Sequence, residues 1–130
     1  MRSLAREVVF KFLFSQLFNP SDGELFSVLL KDEKLTESDR DFATSLLNAI
    51  EKNKEKHLAI ISEMAEGFKL SRLFNADKCA LLIGMSELDD FKDTPKIVVI
   101  DESVKLAAKF STEKSTDFVN GVLARYAEME

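Results

Sequence analysis

Apolar residues spaced three and four positions apart are the feature that most limits the folds open to this chain. Toward the C-terminal end, two such series run side by side: Phe118, Val122 and Tyr126, and Val119, Leu123 and Ala127. This spacing places side chains on one broad face of a helix. The same periodicity recurs along the chain, whereas the alternation typical of strands does not. The sequence therefore predicts an all-α fold.

Residues that favour helix ends divide the chain into about six or seven short helices. Asn19-Pro20 ends the first helix, because proline disfavours helical geometry in the residue before it. Other start and stop signals are Ser21 with Glu24, Thr36 with Asp39, Gly67, Asn75 or Asp77 at a helix start, and Pro95 in a first helical turn. The stretch between Thr36 and Gly67 is predicted to form two helices or one bent helix. Because the loops are short and no repeat is present, residues 1–130 are predicted to form one compact bundle.

Length and composition place the chain among ordinary globular domains. Its 130 residues are 45% hydrophobic and 32% charged, which disfavours both disorder and a membrane protein. No apolar run approaches the roughly 20 residues that a bilayer-spanning helix needs, and the start of the chain lacks the features of a secretory signal. The single cysteine, Cys79, is predicted to be a packed thiol, since small secreted domains usually carry an even set. We expect a cytoplasmic protein with no membrane partner.

Patterns that carry catalysis are missing from the sequence. It contains no glycine-rich phosphate loop, no metal-ligand spacing and no nucleophile paired with a base. The single histidine, His57, lies in a charged stretch and is predicted to be solvated rather than a ligand or a catalyst. The pair Asp89-Asp90 is likewise explained by solvation near a helix end. We therefore expect no enzyme activity, no metal site and no cofactor.

A binding function would need a local surface, because the net charge of −5 opposes nucleic-acid binding by bulk electrostatics. Projected on a helix, Arg2 and Arg6 share one exposed edge, while Lys11 points away. This edge is either a solvated surface or a site for about two phosphates. Phe118 is either part of the core or a platform on which bases stack. Phe14 either packs internally or belongs to a patch that a partner covers.

The dipeptide Asn120-Gly121 interrupts the apolar face of the last helix. It is typical of a tight turn, and glycine inside a helix costs about 1 kcal/mol relative to alanine. The sequence therefore predicts that the missing side chain serves the close approach of another backbone or of a partner.

Two C-terminal motifs resemble those of a known family. They are residues 95–102, with the sequence PKIVVIDE, and residues 117–123, with the sequence DFVNGVL. Weaker matches precede them in the family's order: Ala5-Arg6-Glu7, Asp39-Arg40-Asp41, Arg72-Leu73, Asp77-Lys78 and Glu87-Leu88. Together they resemble the NusB family of bacterial transcription antitermination factors over nearly the whole chain.

The resemblance implies a function as well as a fold. Proteins of the NusB family are all-helical, catalyse nothing, and bind the boxA RNA of the ribosomal RNA leader together with the ribosomal protein NusE. The pair joins an antitermination complex that keeps RNA polymerase processive. By the same resemblance, the RNA-site residues are Arg2, Arg6, Lys114 and Phe118, and the protein-partner residues are Phe14, Asp77 and Lys78. The chain departs from the family pattern at Ser3 and Leu4, which thin the N-terminal basic motif, and at Leu82, a position that is often arginine.

Two other functions stay open at this point. One is a protein-interaction module that keeps the NusB-like bundle but has weak or no affinity for RNA. The other is the accessory domain of a ribosomal RNA methyltransferase, although 130 residues leave no room for a cofactor-binding catalytic fold. Self-association of the free chain as a homodimer is also open.

Overall fold

The computed structural model describes residues 2–20, 23–65 and 73–129, and these contain six α-helices and no strand. The helices are α1 Arg2–Phe18, α2 Glu24–Leu29, α3 Glu37–Met64, α4 Asn75–Asp90, α5 Lys96–Phe110 and α6 Glu113–Met129. The predictions of an all-α fold and of about six or seven helices are confirmed. No helix in this described part of the chain is long and apolar enough to span a bilayer.

Helix ends follow the local sequence where side chains can supply the bonds. Helix α1 ends at Phe18, immediately before Asn19-Pro20. At the start of α3, the Thr36 hydroxyl accepts a bond from the Asp39 backbone N–H, and the Asp39 carboxylate accepts one from the Thr36 N–H, both at 3.0 Å. This reciprocal capping box satisfies two otherwise free donors. The predicted signals at Ser21 and Gly67 lie outside the described residues.

One pair of alternatives is decided and one boundary differs from its prediction. The stretch predicted as two helices or one bent helix is the single 28-residue helix α3, so the alternative of two helices is wrong. Helix α4 begins at Asn75 after Phe74, which provides no side-chain cap, so the prediction that Asn75 or Asp77 caps it is wrong. Asp77 lies in the first turn and accepts a hydrogen bond from Ser115 of α6 instead. Pro95 immediately precedes α5, and its carbonyl accepts the first helical bonds.

Helix α4 forms the centre of the bundle, because it packs against α1, α3, α5 and α6. Every residue from 79 to 88 is buried. A Cβ on Gly84 would lie 2.6 Å from Ser103 Oγ and 2.7 Å from Leu123 Cδ1, so glycine allows α5 and α6 to approach α4 closely. The two-residue link 111–112 makes α5 and α6 antiparallel neighbours, and Lys96 Nζ donates to the Ala127 carbonyl at 2.9 Å.

Gly121 has no comparable contact within the part of the chain that the structure describes. A Cβ at this position would meet nothing within 4 Å, and the residue is exposed on a continuous helix. The prediction that another backbone of this chain approaches Gly121 is therefore wrong, while approach by a partner stays a prediction.

His57 is fully buried, so the prediction that it is solvated is wrong. Its Nε2 lies 2.7 Å from Asp89 Oδ2, and the Tyr126 hydroxyl donates to the same carboxylate at 2.8 Å. The physical reason is helical phase. His57 follows the buried Ile50 by seven positions and precedes the buried Ile61 by four, so all three lie on the inward face of α3. This hydrogen-bond network joins α3, α4 and α6. The Asp89 carboxylate is an acceptor within the network and not simply a solvated side chain.

Candidate nucleic-acid interface

Arg6 does not lie on an exposed edge, and that prediction is wrong. Its guanidinium makes two bonds to Glu87 of α4, from Nε to Oε2 and from Nη2 to Oε1, each 2.7 Å long. Both side chains are almost completely buried, and the guanidinium carbon lies 5.2 Å from the Phe42 ring centroid. Because two planar groups match in this geometry, Arg6 is held inside the bundle and presents no free cation at the surface.

Arg2 is exposed at the start of α1, as predicted. Its Nη1 donates to Thr94 Oγ1 at 3.3 Å, and its guanidinium carbon lies 4.5 Å from the Phe42 ring centroid. Stacking on an aromatic ring leaves the edge of a guanidinium free to donate hydrogen bonds. Arg2 is therefore placed where an anion can reach it.

Lys114 and Phe118 line one broad groove at the N-terminal ends of α4 and α6. The groove has a volume of about 750 Å³ and is bordered by Leu73, Phe74, Asp77, Thr112, Glu113, Lys114, Ser115 and Phe118. Lys114 is exposed in the first turn of α6. Phe118 is half-buried, packing against the core on one side and lining the groove on the other. Its ring is therefore part of the core and also faces the groove, where a base could stack on it; these are the two alternatives that periodicity left open.

The four residues of the predicted RNA site do not form one corner. Arg2 contacts Thr94, just before α5 begins, whereas Lys114 follows shortly after α5 ends. Because α5 has 15 residues, its two ends are about 22 Å apart. The structure brings together Lys114 and Phe118, places Arg2 at the other end of the bundle, and buries Arg6.

Two further cations lie along α5 between these ends. Lys105 and Lys109 are both exposed, and each is paired with acidic neighbours: Lys105 with Asp101 and Glu102, and Lys109 with Glu7 of α1. They were not predicted from the sequence, because neither lysine belongs to the family motif on which the predicted RNA site rests. Their spacing of four residues, which places both on one face of α5, is the signal that could have found them.

Two of the three predicted partner residues, Asp77 and Lys78, fall on separate surfaces. Asp77 lines the groove with Phe118, whereas its neighbour Lys78 borders a narrow cleft of about 100 Å³ formed with Leu13, Leu17 and Cys79. Successive helical residues point about 100° apart, so adjacent residues can serve different surfaces. The structure therefore separates Asp77 from Lys78.

Phe14 belongs to an aromatic patch that the sequence predicted only in part. It lines a cavity of about 290 Å³ with Phe18, Phe74 and Phe110, and its ring centroid lies 5.0 Å from that of Phe18. Phe18 and Phe74 are 65% and 59% exposed. Large exposed rings grouped in this way are typical of an interaction surface. We call Phe14, Phe18, Phe74 and Phe110 the aromatic patch.

Cys79 is a packed thiol, as predicted. It is buried in α4, and desolvation raises its pKa to about 12, with Lys54 and Lys78 acting weakly in the opposite direction. A thiol with this pKa is protonated at neutral pH and is a poor nucleophile. Among the residues whose positions are described, no group of His, Cys, Asp and Glu could hold a metal ion.

Comparison with known proteins assigns the fold. A family model described as the NusB family matches residues 2–128. This chain belongs to the NusB family. The "Transcription antitermination protein NusB" of Ruminiclostridium cellulolyticum is 33% identical over 128 residues, covering 98% of this chain and 88% of that protein. Its counterpart from Alkaliphilus oremlandii is 34% identical over 131 residues, covering 99% and 94%.

Solved NusB structures share the arrangement of the helices. NusB from T. maritima superposes with a TM-score of 0.91 at 32% identity, covering 98% of this chain and 91% of that one. A chain from the crystal structure of antitermination factors NusB and NusE in complex with dsRNA superposes with a TM-score of 0.88 at 26% identity, covering 99% and 97%. The NusB fold thus extends over the groove and the aromatic patch alike.

Proposed function

We propose that this NusB-family protein is a non-enzymatic RNA-binding antitermination factor of the bacterial cytoplasm. Acting as one domain over residues 1–130, it binds boxA RNA together with the ribosomal protein NusE and supports processive ribosomal RNA transcription by RNA polymerase. The observation that carries this proposal is the groove where Lys114 and Phe118 meet, in a chain that matches the NusB of a NusB, NusE and RNA complex.

The groove combines the two features that single-stranded RNA needs. The half-buried ring of Phe118 offers a flat face on which an unpaired base can stack. Lys114 places a cation beside it in the first turn of α6, which also carries Glu113, and the N-terminal end of a helix favours a phosphate. The base stacks while its phosphate is held at the mouth of the groove.

A longer basic track follows α5 from this groove to Arg2. Lys109 and Lys105 lie between the two ends, but both are paired with carboxylates. With a net charge of −5, the chain attracts RNA weakly beyond this track. A basic partner such as a ribosomal protein would supply the missing positive charge, so affinity should depend on both proteins.

The aromatic patch is the surface that this partner would cover. Phe74 lines both the patch and the groove, so a protein bound on the patch would border the bound RNA. Exposed aromatic rings at the centre of an interface commonly contribute most of its binding energy. This arrangement would couple the binding of NusE to the binding of boxA RNA through one shared residue.

The decisive experiment is a salt titration of boxA RNA binding, measured with and without NusE. We expect binding that weakens as salt rises, prefers boxA over an unrelated single strand, and tightens when NusE is present. Absence of both a boxA preference and a complex with NusE would overturn the proposal.

A substitution tests the groove itself. Phe118→Ala should weaken RNA binding by about 1 to 3 kcal/mol through lost stacking, while thermal unfolding shows that the helical fold persists. The matched control is Phe26→Ala, which removes a ring from the contact of α2 with Phe12, outside the groove. If both variants weaken RNA binding equally, the effect of Phe118→Ala arises from destabilisation and not from stacking.

A second candidate function has one observation in its favour. Arg6, Lys105 and Lys109 are all paired with carboxylates, which reduces the number of free cations for phosphates. A NusB-family interaction module with little RNA affinity would bind NusE through the aromatic patch and show no boxA preference. The same titration separates the two functions, since only the RNA-binding factor gives a salt-dependent boxA signal.

A further inference from the structure

Asp77 holds a buried carboxylate that is only half satisfied. The residue is 4% exposed, and its Oδ2 accepts a hydrogen bond from Ser115 Oγ at 3.0 Å. Its Oδ1 is buried and has no hydrogen-bond partner within residues 2–20, 23–65 and 73–129. An unsatisfied buried acceptor is costly, and buried polar atoms in proteins almost always have partners. The free oxygen therefore points to a ligand that carries a donor.

The position of Asp77 shows what kind of ligand would supply this donor. Asp77 lines the groove together with Phe74, Phe118 and Lys114. The volume of about 750 Å³ lies within the range of pockets that hold small planar ligands. Apolar walls with one buried acceptor suit a flat ring that stacks on one face and donates from one edge.

We infer that Asp77 Oδ1 accepts a hydrogen bond from the exocyclic amino group of an RNA base stacked on Phe118. The groove then selects a base that carries an amino group and rejects uracil. Carboxylates accept from the N4 amino group of cytosine, whereas uracil presents a carbonyl oxygen at the same place and repels the carboxylate. The inference rests on the proposed RNA-binding function, and it adds a specificity-determining residue.

The walls of the groove favour a flat base over the side chain of a protein partner. Glu113 and Lys114 both border the groove, so its rim carries one charge of each sign, and Lys114 would attract the phosphate of a nucleotide. The rings of Phe74 and Phe118 present flat faces, which every base can stack on. Phe74 is exposed, and exposed side chains change rotamer within nanoseconds, so the groove can open toward Asp77.

The test removes one amino group at a time from boxA RNA. Each cytidine is replaced in turn by zebularine, each adenosine by purine riboside and each guanosine by inosine, and affinity for the native chain is measured. At one position we expect a loss of about 10- to 150-fold, since a hydrogen bond to a charged group contributes about 1.5 to 3 kcal/mol. At the remaining positions the effect should be smaller.

The isosteric variant Asp77→Asn sharpens the test. Its carbonyl oxygen can still accept from Ser115, and its amide then presents a donor where Oδ1 was an acceptor. Asp77→Asn should therefore lose the discrimination at the identified position. It should also bind a boxA RNA that carries uracil at that position better than the native chain does. Asp41→Asn, which makes the same chemical change at an exposed position of α3 outside the groove, is the matched control and should keep the native preference.

The outcomes separate this inference from the proposed function. If the native chain binds boxA RNA but tolerates every amino-group removal, the inference fails while RNA binding stands. If Asp77→Asn reduces binding of NusE without RNA and leaves the base preference unchanged, Asp77 is a protein contact and the inference again fails. If the native chain binds no boxA RNA, the proposed function itself fails. Because the RNA series needs only the native chain, the inference can be overturned even where Asp77→Asn does not fold.

Discussion

Arg6 and Glu87 form a buried pair with two parallel hydrogen bonds that joins α1 to α4. The bonds from Nε to Oε2 and from Nη2 to Oε1 are both 2.7 Å long, and Glu102 of α5 lies 3.8 Å from the remaining nitrogen. Removing one partner of such a pair leaves an uncompensated charge in a low-dielectric interior. The residue that the family motif places at the RNA site is therefore a structural element in this chain.

Arg6→Ala should lower the free energy of unfolding by about 3 to 5 kcal/mol, because Glu87 would stay buried without a partner. Arg6→Lys should recover little of the lost free energy of unfolding, since an ammonium cannot make two parallel bonds to a carboxylate. Urea denaturation followed by circular dichroism measures both. The control is Lys11→Ala, an exposed change on the same helix that should stay within about 0.5 kcal/mol of the native chain. Equal stability of Arg6→Ala and the native chain would show that the pair contributes nothing.

The periodicity of α1 predicted the helix but not the burial of Arg6. A pattern of apolar residues fixes the angle of each side chain around its own helix axis, yet it does not show which neighbour faces that angle. Arg6 is buried because Glu87, 81 positions away, faces it. His57 lies in phase with the buried Ile50 and Ile61 of α3, but the partners that satisfy its ring there, Asp89 and Tyr126, come from two other helices. Polar residues in the interior depend on long-range pairing, which one sequence does not reveal.

Features set by neighbouring residues were predicted correctly. The Thr36 signal became a capping box because both of its bonds lie within four residues, and α1 ended before Asn19-Pro20. Of the candidate site, Lys114 and Phe118 meet in one groove, since they lie four residues apart on α6 and share a face. Arg2 lies at the other end because α5 separates the two regions, a distance that no local pattern encodes.

Two glycines of the bundle should respond to alanine in opposite directions. Gly84→Ala should destabilise the fold by about 1 to 3 kcal/mol, because the new Cβ would overlap Ser103 Oγ and Leu123 Cδ1. Gly121→Ala should stabilise it by about 1 kcal/mol, since the position is helical and open. Thermal and urea unfolding of the two variants measure this difference in stability. The assignment of the contacts would be wrong if Gly84→Ala were as stable as Gly121→Ala.

Binding assays on the stabilised variant test the remaining expectation for Gly121. If a partner approaches this glycine closely, Gly121→Ala should weaken binding of boxA RNA or of NusE although the fold is more stable. Unchanged affinity for both would show that the glycine serves neither interface.

The Cys79 thiol should be unreactive in the folded chain. Burial raises its pKa to about 12, so at about pH 8 almost none of it is thiolate, whereas an unfolded cysteine has a pKa near 8.5. A thiol reagent such as Ellman's reagent should react slowly with the native protein and rapidly after addition of urea. Rapid reaction without denaturant would show that α4 opens locally or that the thiol is accessible from the cleft beside Lys78.

Lys114 should contribute one phosphate contact. Lys114→Ala should weaken binding to all single-stranded RNAs by a similar factor and reduce the slope of log affinity against log salt by about 0.7. The matched control is Lys52→Ala, which removes an exposed lysine of α3 that does not line the groove. A slope that changes equally in both variants would mean that only the overall charge matters.

Glu7→Gln should increase RNA affinity, which distinguishes a basic track along α5 from a groove that acts alone. Glu7 pairs with Lys109 across α1 and α5, and an exposed pair of this kind contributes little to stability. Removing the carboxylate frees the Lys109 cation and raises the net charge by one, so the salt slope should steepen by up to about 0.7. Glu37→Gln makes the same charge change at the exposed start of α3 and controls for it. If the two variants bind boxA RNA alike, RNA does not follow α5, and the path from the groove to Arg2 must be abandoned.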